Sequence, residues 1–244
     1  MKYIAILIVL LIIESAVGQT VVDLSEFKKN GTTFTRNHNE LTFLWPSGKE
    51  GRGKMVLNLD QDRPLFSSVQ LGTGEKFAEI ASGLDPAFVL RIGKRILSPS
   101  SGGWDVFFDR FPTKPYKTYA LKLDKKKVKV KTDGTRTIIS ISNISASTFK
   151  GDLEIILYNG TALFNISASI TTEIDSTAIL YDAGLVSKRQ IWKQMAWSDT
   201  DQKLHKTVPS REDISRNLEV KYRTIIGENP QGSLALFPAP HQYF

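Results

Sequence analysis

Apolar and polar residues alternate with a period of two through the middle of the chain, from Tyr119 to Thr172. Val128 and Val130, for example, alternate with lysines. Such alternation is typical of strands that bury one face and expose the other. Asp133-Gly134 and Asn159-Gly160 predict type I′ hairpin turns, because both central positions of that turn require a positive φ. We therefore expect a β-meander with strands at Tyr119–Leu123, Lys127–Lys131, Thr135–Ser142, Leu153–Tyr158 and Thr161–Thr171.

Shorter apolar runs separated by turn residues occupy the first half of the chain. Leu41–Trp45 is predicted to be a strand that ends at Pro46, and Leu84-Asp85-Pro86 is predicted to be a turn. Turn signals about every 8 to 12 residues are typical of a sandwich or barrel. The predicted fold is therefore all-β, a large antiparallel β-sandwich or supersandwich with little helix. Further strands are predicted at Met55–Leu59, Leu65–Leu71, Phe77–Ile80, Phe88–Ile92 and Trp104–Phe108.

The last part of the chain combines clear strand patterns with one ambiguous segment. Ala178–Tyr181 is predicted to be a strand that ends at residues 182–184, and Glu219–Ile226 is predicted to be another. Ser187–Trp197 fits both a helix, through apolar pairs at i and i+4, and a tryptophan-rich strand. Asn229-Pro230-Gln231-Gly232 has the proline that a type I turn favours, so we expect a hairpin there.

The first residues have the pattern of a secretory signal peptide. Lys2 precedes an apolar run from Ile4 to Ile13, which is about half the length of a membrane-spanning helix. Small residues follow and end at Gly18, so we predict a signal peptide at residues 1–18, with an uncleaved anchor as the alternative. We expect residues 19–244 to form one β-sandwich domain without a transmembrane segment, either secreted, periplasmic or at the cell surface. The apolar, aromatic segment Ser233–Phe244 suggests that this domain is C-terminally incomplete.

The composition restricts the chemistry of the protein. The chain has no cysteine, which excludes disulfides, thiol nucleophiles and cysteine-bound zinc. Its net charge of +7 permits anionic partners. Export makes nucleic acid the least expected of these, so we predict carbohydrate, including anionic polysaccharide, and no nucleic acid. A lysine stripe supports the anionic partner, although lysines also protect exposed strands from edge-to-edge pairing. The stripe consists of Lys122, Lys125, Lys126, Lys127, Lys129 and Lys131.

Four residues are candidates for catalysis. Asp182 and Asp199 lie near aromatic residues, and two carboxylates are the usual machinery of glycoside hydrolysis. Arg223 and His241 complete the set, because histidine can transfer protons near neutral pH. The alternative for Asp199 is a structural role in a turn, through bonds from its side chain to the backbone. The histidines have no metal-binding spacing, so we predict no metal and no cofactor.

Five aromatic residues are candidates for stacking on a sugar ring. An aromatic face can pack against the C–H groups of a pyranose, provided that the side chain lines a groove. The alternative is that these large side chains fill the core, where most aromatic residues lie. The five are Trp104, Tyr181, Trp192, Trp197 and Tyr243.

The second half of the chain, from about residue 119 to 244, resembles a known family. The blocks that carry the likeness are Phe149-Lys150-Gly151-Asp152, Tyr158-Asn159-Gly160, Tyr181-Asp182-Ala183-Gly184-Leu185 and Gly232-Ser233-Leu234, followed by Phe237-Pro238. In order, these resemble the β-supersandwich domains related to galactose mutarotase, which occur in carbohydrate-active enzymes, and also uncharacterised exported bacterial proteins. The resemblance implies an all-β fold that faces carbohydrate. The paired histidine and acidic residues of the mutarotases have no matching positions here.

Three functional hypotheses remain open after these observations. The first is an exported carbohydrate-binding domain that belongs to a polysaccharide-processing protein. The second is a glycoside hydrolase, lyase or epimerase that acts on a sugar. The third is a structural or adhesion domain of the cell surface.

Overall fold

The computed structural model describes residues 20–94, 115–210 and 218–239. Within these ranges the chain forms seventeen strands, numbered β1 to β17 along the chain, and no helix. The prediction of an all-β protein is therefore confirmed. The strand predicted at Trp104–Phe108 lies outside the described residues.

Two large sheets and one small sheet contain all of these strands. Sheet A has the order β1-β9-β10-β11-β12, and β8 also pairs with β10. Its pairings are antiparallel except that β1 runs parallel to β9. The strands of sheet A are β1 (Val21–Glu26), β8 (Lys122–Leu123), β9 (Lys127–Asp133), β10 (Arg136–Ala146), β11 (Phe149–Tyr158) and β12 (Phe164–Thr171).

Sheet B has the order β13-β6-β5-β4-β3-β2, and β7 also pairs with β6. Sheet C has the order β15-β14-β16-β17. The strands of sheet B are β2 (Thr33–Asn37), β3 (Glu40–Pro46), β4 (Gly51–Asn58), β5 (Phe66–Thr73), β6 (Lys76–Lys94), β7 (Tyr116–Ala120) and β13 (Thr177–Ser187). Those of sheet C are β14 (Gln194–Ser198), β15 (Leu204–Thr207), β16 (Ile225–Asn229) and β17 (Gly232–Leu236).

The main core lies between sheets A and B. The apolar positions of β9, β10 and β11 meet those of β3, β4 and β5 in one cluster, as a sandwich requires. The alternation of Val128 and Val130 with lysines therefore does place the valines inside, as predicted. The cluster includes Leu41, Phe43, Met55, Leu57 and Phe66 from sheet B and Val130, Ile139, Ile141, Leu153, Ile155 and Leu157 from sheet A.

Sheet C docks on sheet B through its β16–β17 hairpin. Asn229 donates a hydrogen bond from Nδ2 to the Ile80 carbonyl oxygen over 2.5 Å. Its Oδ1 also accepts from the N–H groups of Gln231 and Gly232 and so stabilises the turn. The predicted hairpin at residues 229–232 is confirmed, because Asn229 pairs directly with Gly232.

Two predicted strand breaks are wrong. β6 continues through Asp85 and Pro86 for 19 residues. A proline interrupts a ladder only where its N–H is needed. On one edge of β6 the pairing with β5 stops at Leu84 and the pairing with β7 begins at Val89, so Pro86 lies opposite no strand on that edge. Similarly, β13 does not end at residues 182–184 but pairs with β6 as far as Ser187.

Three further expectations need correction. Of the two alternatives for segment 187–197, the helix is wrong and the strand is confirmed only for the last residues, which enter β14. The predicted strand Glu219–Ile226 is reduced to its end, since β16 begins only at Ile225. Gly134 has a φ of +57° and Gly160 a φ of +92°, but neither Asp133 nor Asn159 has a positive φ. The predicted type I′ turns are therefore wrong.

Candidate functional site

The structure describes six of the nine residues predicted to bind or transform a ligand. Trp104, His241 and Tyr243 lie outside the described residues. The six are Tyr181, Asp182, Trp192, Trp197, Asp199 and Arg223.

Trp197 and Asp199 come together with His205 at the β14–β15 hairpin. Trp197 pairs directly with His205 across the two strands, so their side chains emerge on the same face of sheet C. The two rings stack with centroids 5.4 Å apart and an angle of 14° between their planes. Both side chains are partly exposed, so the stacked pair is accessible to solvent at the end of the hairpin.

Asp199 fixes both the imidazole and the loop. Its Oδ2 lies 2.6 Å from Nε2 of His205. Its Oδ1 accepts a hydrogen bond from the Lys203 N–H over 2.8 Å, and its own N–H donates to the Lys203 carbonyl oxygen. Asp199 therefore has the turn-stabilising role considered from the sequence, and it also orients His205. We call Trp197, Asp199 and His205 the Trp197 cluster.

Hydrogen bonding keeps Asp199 ionised. The hydrogen bond to His205, followed by that from the Lys203 backbone, holds the pKa of the Asp199 carboxyl below its ordinary value of 3.8. A carboxylate that accepts such bonds is favoured over the protonated acid. The negative charge of Asp199 is thus present throughout the physiological pH range.

We expect Asp199→Asn to alter the acid stability of the protein. Because the folded-state pKa is lowered, the charge of Asp199 stabilises the folded chain above about pH 4. This stabilisation disappears as the pH falls through the lowered pKa. The wild-type protein should therefore exceed the variant in free energy of unfolding near pH 5, and the difference should shrink as the pH falls below about 4. Denaturant unfolding across this range measures it. A difference that stays constant or grows on acidification would contradict the assignment.

The structure does not join Asp182 to the Trp197 cluster. Asp182 lies on β13 of sheet B and forms an ion pair with Arg91 of β6 over 2.8 Å. Tyr181 is its neighbour in sequence but projects from the opposite face of the sheet, alongside the buried Leu90. The two residues therefore cannot contact one ligand from a single face.

Trp192 and Arg223 have different surroundings again. The indole of Trp192 covers Gly227 of β16 so closely that a Cβ at that glycine would lie 2.5 Å from the ring. Trp192 also packs against the main core, so it fits the core-filling alternative. Arg223 is exposed in the bend that precedes β16.

No family model, curated protein or solved structure matches this chain. The likeness to the domains related to galactose mutarotase therefore stays a prediction. Among residues 20–94, 115–210 and 218–239, no group of three or more histidine and acidic side chains is placed to hold a metal ion. In the same ranges no helix has the length and apolar character needed to cross a membrane.

The lysine stripe does not form one continuous surface. Lys125 is buried, with 4% of its surface exposed. Lys129 forms an ion pair with Glu26, because β1 lies directly beside β9. β9 is consequently not an edge strand, and the alternative that these lysines protect an exposed edge does not apply to it.

Two residues of interest escaped the sequence reasoning. The sequence around His205 does not indicate a role for it. Its contact with Trp197 can be inferred only when the register of the β14–β15 hairpin is known. Lys125 resembles the other lysines of its stripe. The available signals were the turn residues Asp199-Thr200-Asp201 between two short apolar runs, and the position of Lys125 outside the period-two alternation.

Proposed function

We propose that this protein binds carbohydrate at the Trp197 cluster. The observation that carries the proposal is the stacked, partly exposed pair of Trp197 and His205, with the Asp199 carboxylate hydrogen-bonded to the imidazole. A flat aromatic surface suits the C–H face of a pyranose, and the polar atoms at its margin suit the sugar hydroxyls. The predicted export of the chain places this surface where polysaccharides occur.

Binding agrees better with this geometry than hydrolysis does. Both carboxylate oxygens of Asp199 already contact protein donors, the Lys203 N–H and the imidazole of His205. These contacts commit Asp199 to fixing the loop and the imidazole, and glycoside hydrolysis also needs a second carboxyl group across the scissile bond. The second predicted acid, Asp182, belongs to another sheet and is paired with Arg91.

We expect Trp197→Ala to weaken the binding of polysaccharide by at least about tenfold. The substitution removes the larger of the two stacked rings and leaves the strand pairing of β14 in place. Affinity gel electrophoresis of the full chain against a panel of neutral and acidic polysaccharides measures the effect. Tyr116→Ala is the matched control, because Tyr116 is an aromatic residue with 44% of its surface exposed on sheet B.

Two outcomes would contradict the proposal. One is the absence of binding to every polysaccharide of the panel. The other is equal loss of affinity in Trp197→Ala and Tyr116→Ala. Release of reducing sugar by the wild-type protein, abolished in Asp199→Asn, would instead favour the hypothesis of a glycoside hydrolase.

A further inference from the structure

A cleft of about 250 Å³ opens where the β4–β5 turn meets the segment that leads from β7 to β9. Apolar atoms of Leu121, Leu123 and Pro86 contribute to its walls. Charged side chains, among them Asp62, Arg63 and Lys188, also line it. We call it the Lys125 cleft, because Lys125 lies in its lining and is the most buried of its charged groups.

Lys125 is a buried cation without a carboxylate partner among the described residues. Its Nζ donates to the carbonyl oxygens of Asp60, over 3.0 Å, and Arg63. No carboxylate in the described part of the chain forms an ion pair with it. An ammonium has three N–H donors, so one remains after these two bonds. Buried charges are normally paired, and this one lines a cleft that is open to solvent.

Burial makes the ammonium group of Lys125 easier to deprotonate. Loss of solvation lowers the pKa of its ammonium group below the ordinary value of 10.5. The charges of Asp85, Asp60 and Asp62 act in the opposite direction through space but do not cancel that effect. An anion bound in contact with Nζ would stabilise the charged form.

The walls of the cleft are held in place by hydrogen bonds between different segments. Gln61 donates from Nε2 to the Leu123 carbonyl oxygen over 2.7 Å. Asp85 accepts from the Leu65 N–H over 2.7 Å. These bonds join the β4–β5 turn to the segment before β9 and to β6. The cleft is thus formed before any ligand arrives, which reduces the entropy lost on binding.

We propose that the Lys125 cleft binds a single uronate residue, with its carboxylate on the Lys125 ammonium. The volume suits one sugar ring rather than a chain. Arg63 and Lys188 add positive charge to the lining, the Asp62 and Asp85 carboxylates can accept hydrogen bonds from hydroxyls, and the Gln61 amide can both donate and accept them. The apolar walls fit the C–H face of the ring. The proposal rests on the proposed carbohydrate binding and specifies an acidic sugar unit at a second site.

Titration calorimetry of the full chain with D-glucuronate, D-glucose and acetate tests this site. We expect glucuronate to bind at least about tenfold more tightly than either of the others, because only glucuronate combines a carboxylate with a hydroxylated ring. Lys188→Ala and Arg63→Ala should each weaken glucuronate binding about threefold or more, and Lys125→Met should abolish it. Circular dichroism checks that each variant is folded. If Lys125→Met does not fold, the two exposed positions decide the outcome.

The proposal is overturned if glucuronate does not bind, if glucose or acetate binds equally well, or if Lys188→Ala and Arg63→Ala leave the affinity unchanged. Trp197→Ala separates this result from a failure of the Trp197 cluster. It should reduce polysaccharide affinity and leave glucuronate affinity unchanged. Lys188→Ala should instead reduce glucuronate affinity and leave the affinity for a neutral polysaccharide unchanged. Glucuronate binding that is lost in Trp197→Ala and retained in Lys188→Ala would place the acidic sugar at the Trp197 cluster and refute the cleft.

Discussion

Replacing Trp45 with alanine is expected to lower the free energy of unfolding by about 3–5 kcal/mol. Trp45 exposes only 1% of its surface and belongs to the core between sheets A and B. Its ring covers Gly53 on the neighbouring strand β4, where no side chain could fill the space it leaves. The indole Nε1 also donates to the Thr161 carbonyl oxygen over 2.9 Å and so links β3 to the β11–β12 connection. The substitution removes both the packing and this link.

Denaturant unfolding monitored by circular dichroism measures the change as a shift in midpoint at constant slope. Trp45→Phe is the matched control, because it keeps an aromatic ring and removes the N–H. We expect it to cost about 1–3 kcal/mol, since the partly buried carbonyl of Thr161 loses its donor and part of the volume is lost. A loss below about 1 kcal/mol in Trp45→Ala would show that this residue does not hold the two sheets together.

Gly151→Ala has the second-largest expected effect on stability, a loss of about 1–3 kcal/mol. Gly151 lies in β11 between Ile144 of β10 and Ile170 of β12. A Cβ at this position would lie 1.8 Å from the Ser169 carbonyl oxygen and 2.9 Å from the Ile170 Cα, both in the backbone of β12. Because backbone atoms cannot turn aside as a side chain can, the edge strand must move and lose part of its pairing.

Gly184→Ala provides the control for this prediction. Gly184 is also a strand glycine, in β13, and a Cβ there would lie 4.0 Å from the nearest atom outside its chain neighbours, in the Leu236 side chain. We expect its substitution to change the free energy of unfolding by no more than about 0.5 kcal/mol. Faster amide hydrogen exchange in β12 of Gly151→Ala, absent from Gly184→Ala, would locate the damage. Equal stability of the two variants would contradict the prediction.

The two proposed sites depend on the same property of this fold. The Trp197 cluster forms at the β14–β15 hairpin, and the Lys125 cleft forms at the β4–β5 turn and the segment before β9. In both, a side chain bonded to backbone groups fixes a loop that carries residues of the proposed site. The acids at these positions, Asp199 and Asp85, therefore have structural tasks that limit their availability for chemistry.

The pattern of apolar residues was sufficient to predict the sandwich itself. Period-two alternation identified the buried faces of β9, β10 and β11, because the inward direction of a strand residue depends only on its parity. It could not predict how far a strand extends. β6 passes through Asp85 and Pro86 because β13 pairs with it continuously along one edge. The Glu219–Ile226 pattern fails as a strand over its first residues, where no strand pairing is present among the described strands.

The sequence by itself determined the all-β class and the residues that enter the core, since both follow from local alternation and turn chemistry. Only the tertiary structure decided the surroundings of the candidate site residues. Trp197 meets His205 through the register of a hairpin, Tyr181 and Asp182 separate because they face opposite sides of β13, and Lys125 is buried while its neighbours are not. Contacts between distant segments set these relations, and the identity of a residue and its neighbours in sequence contains no information about them.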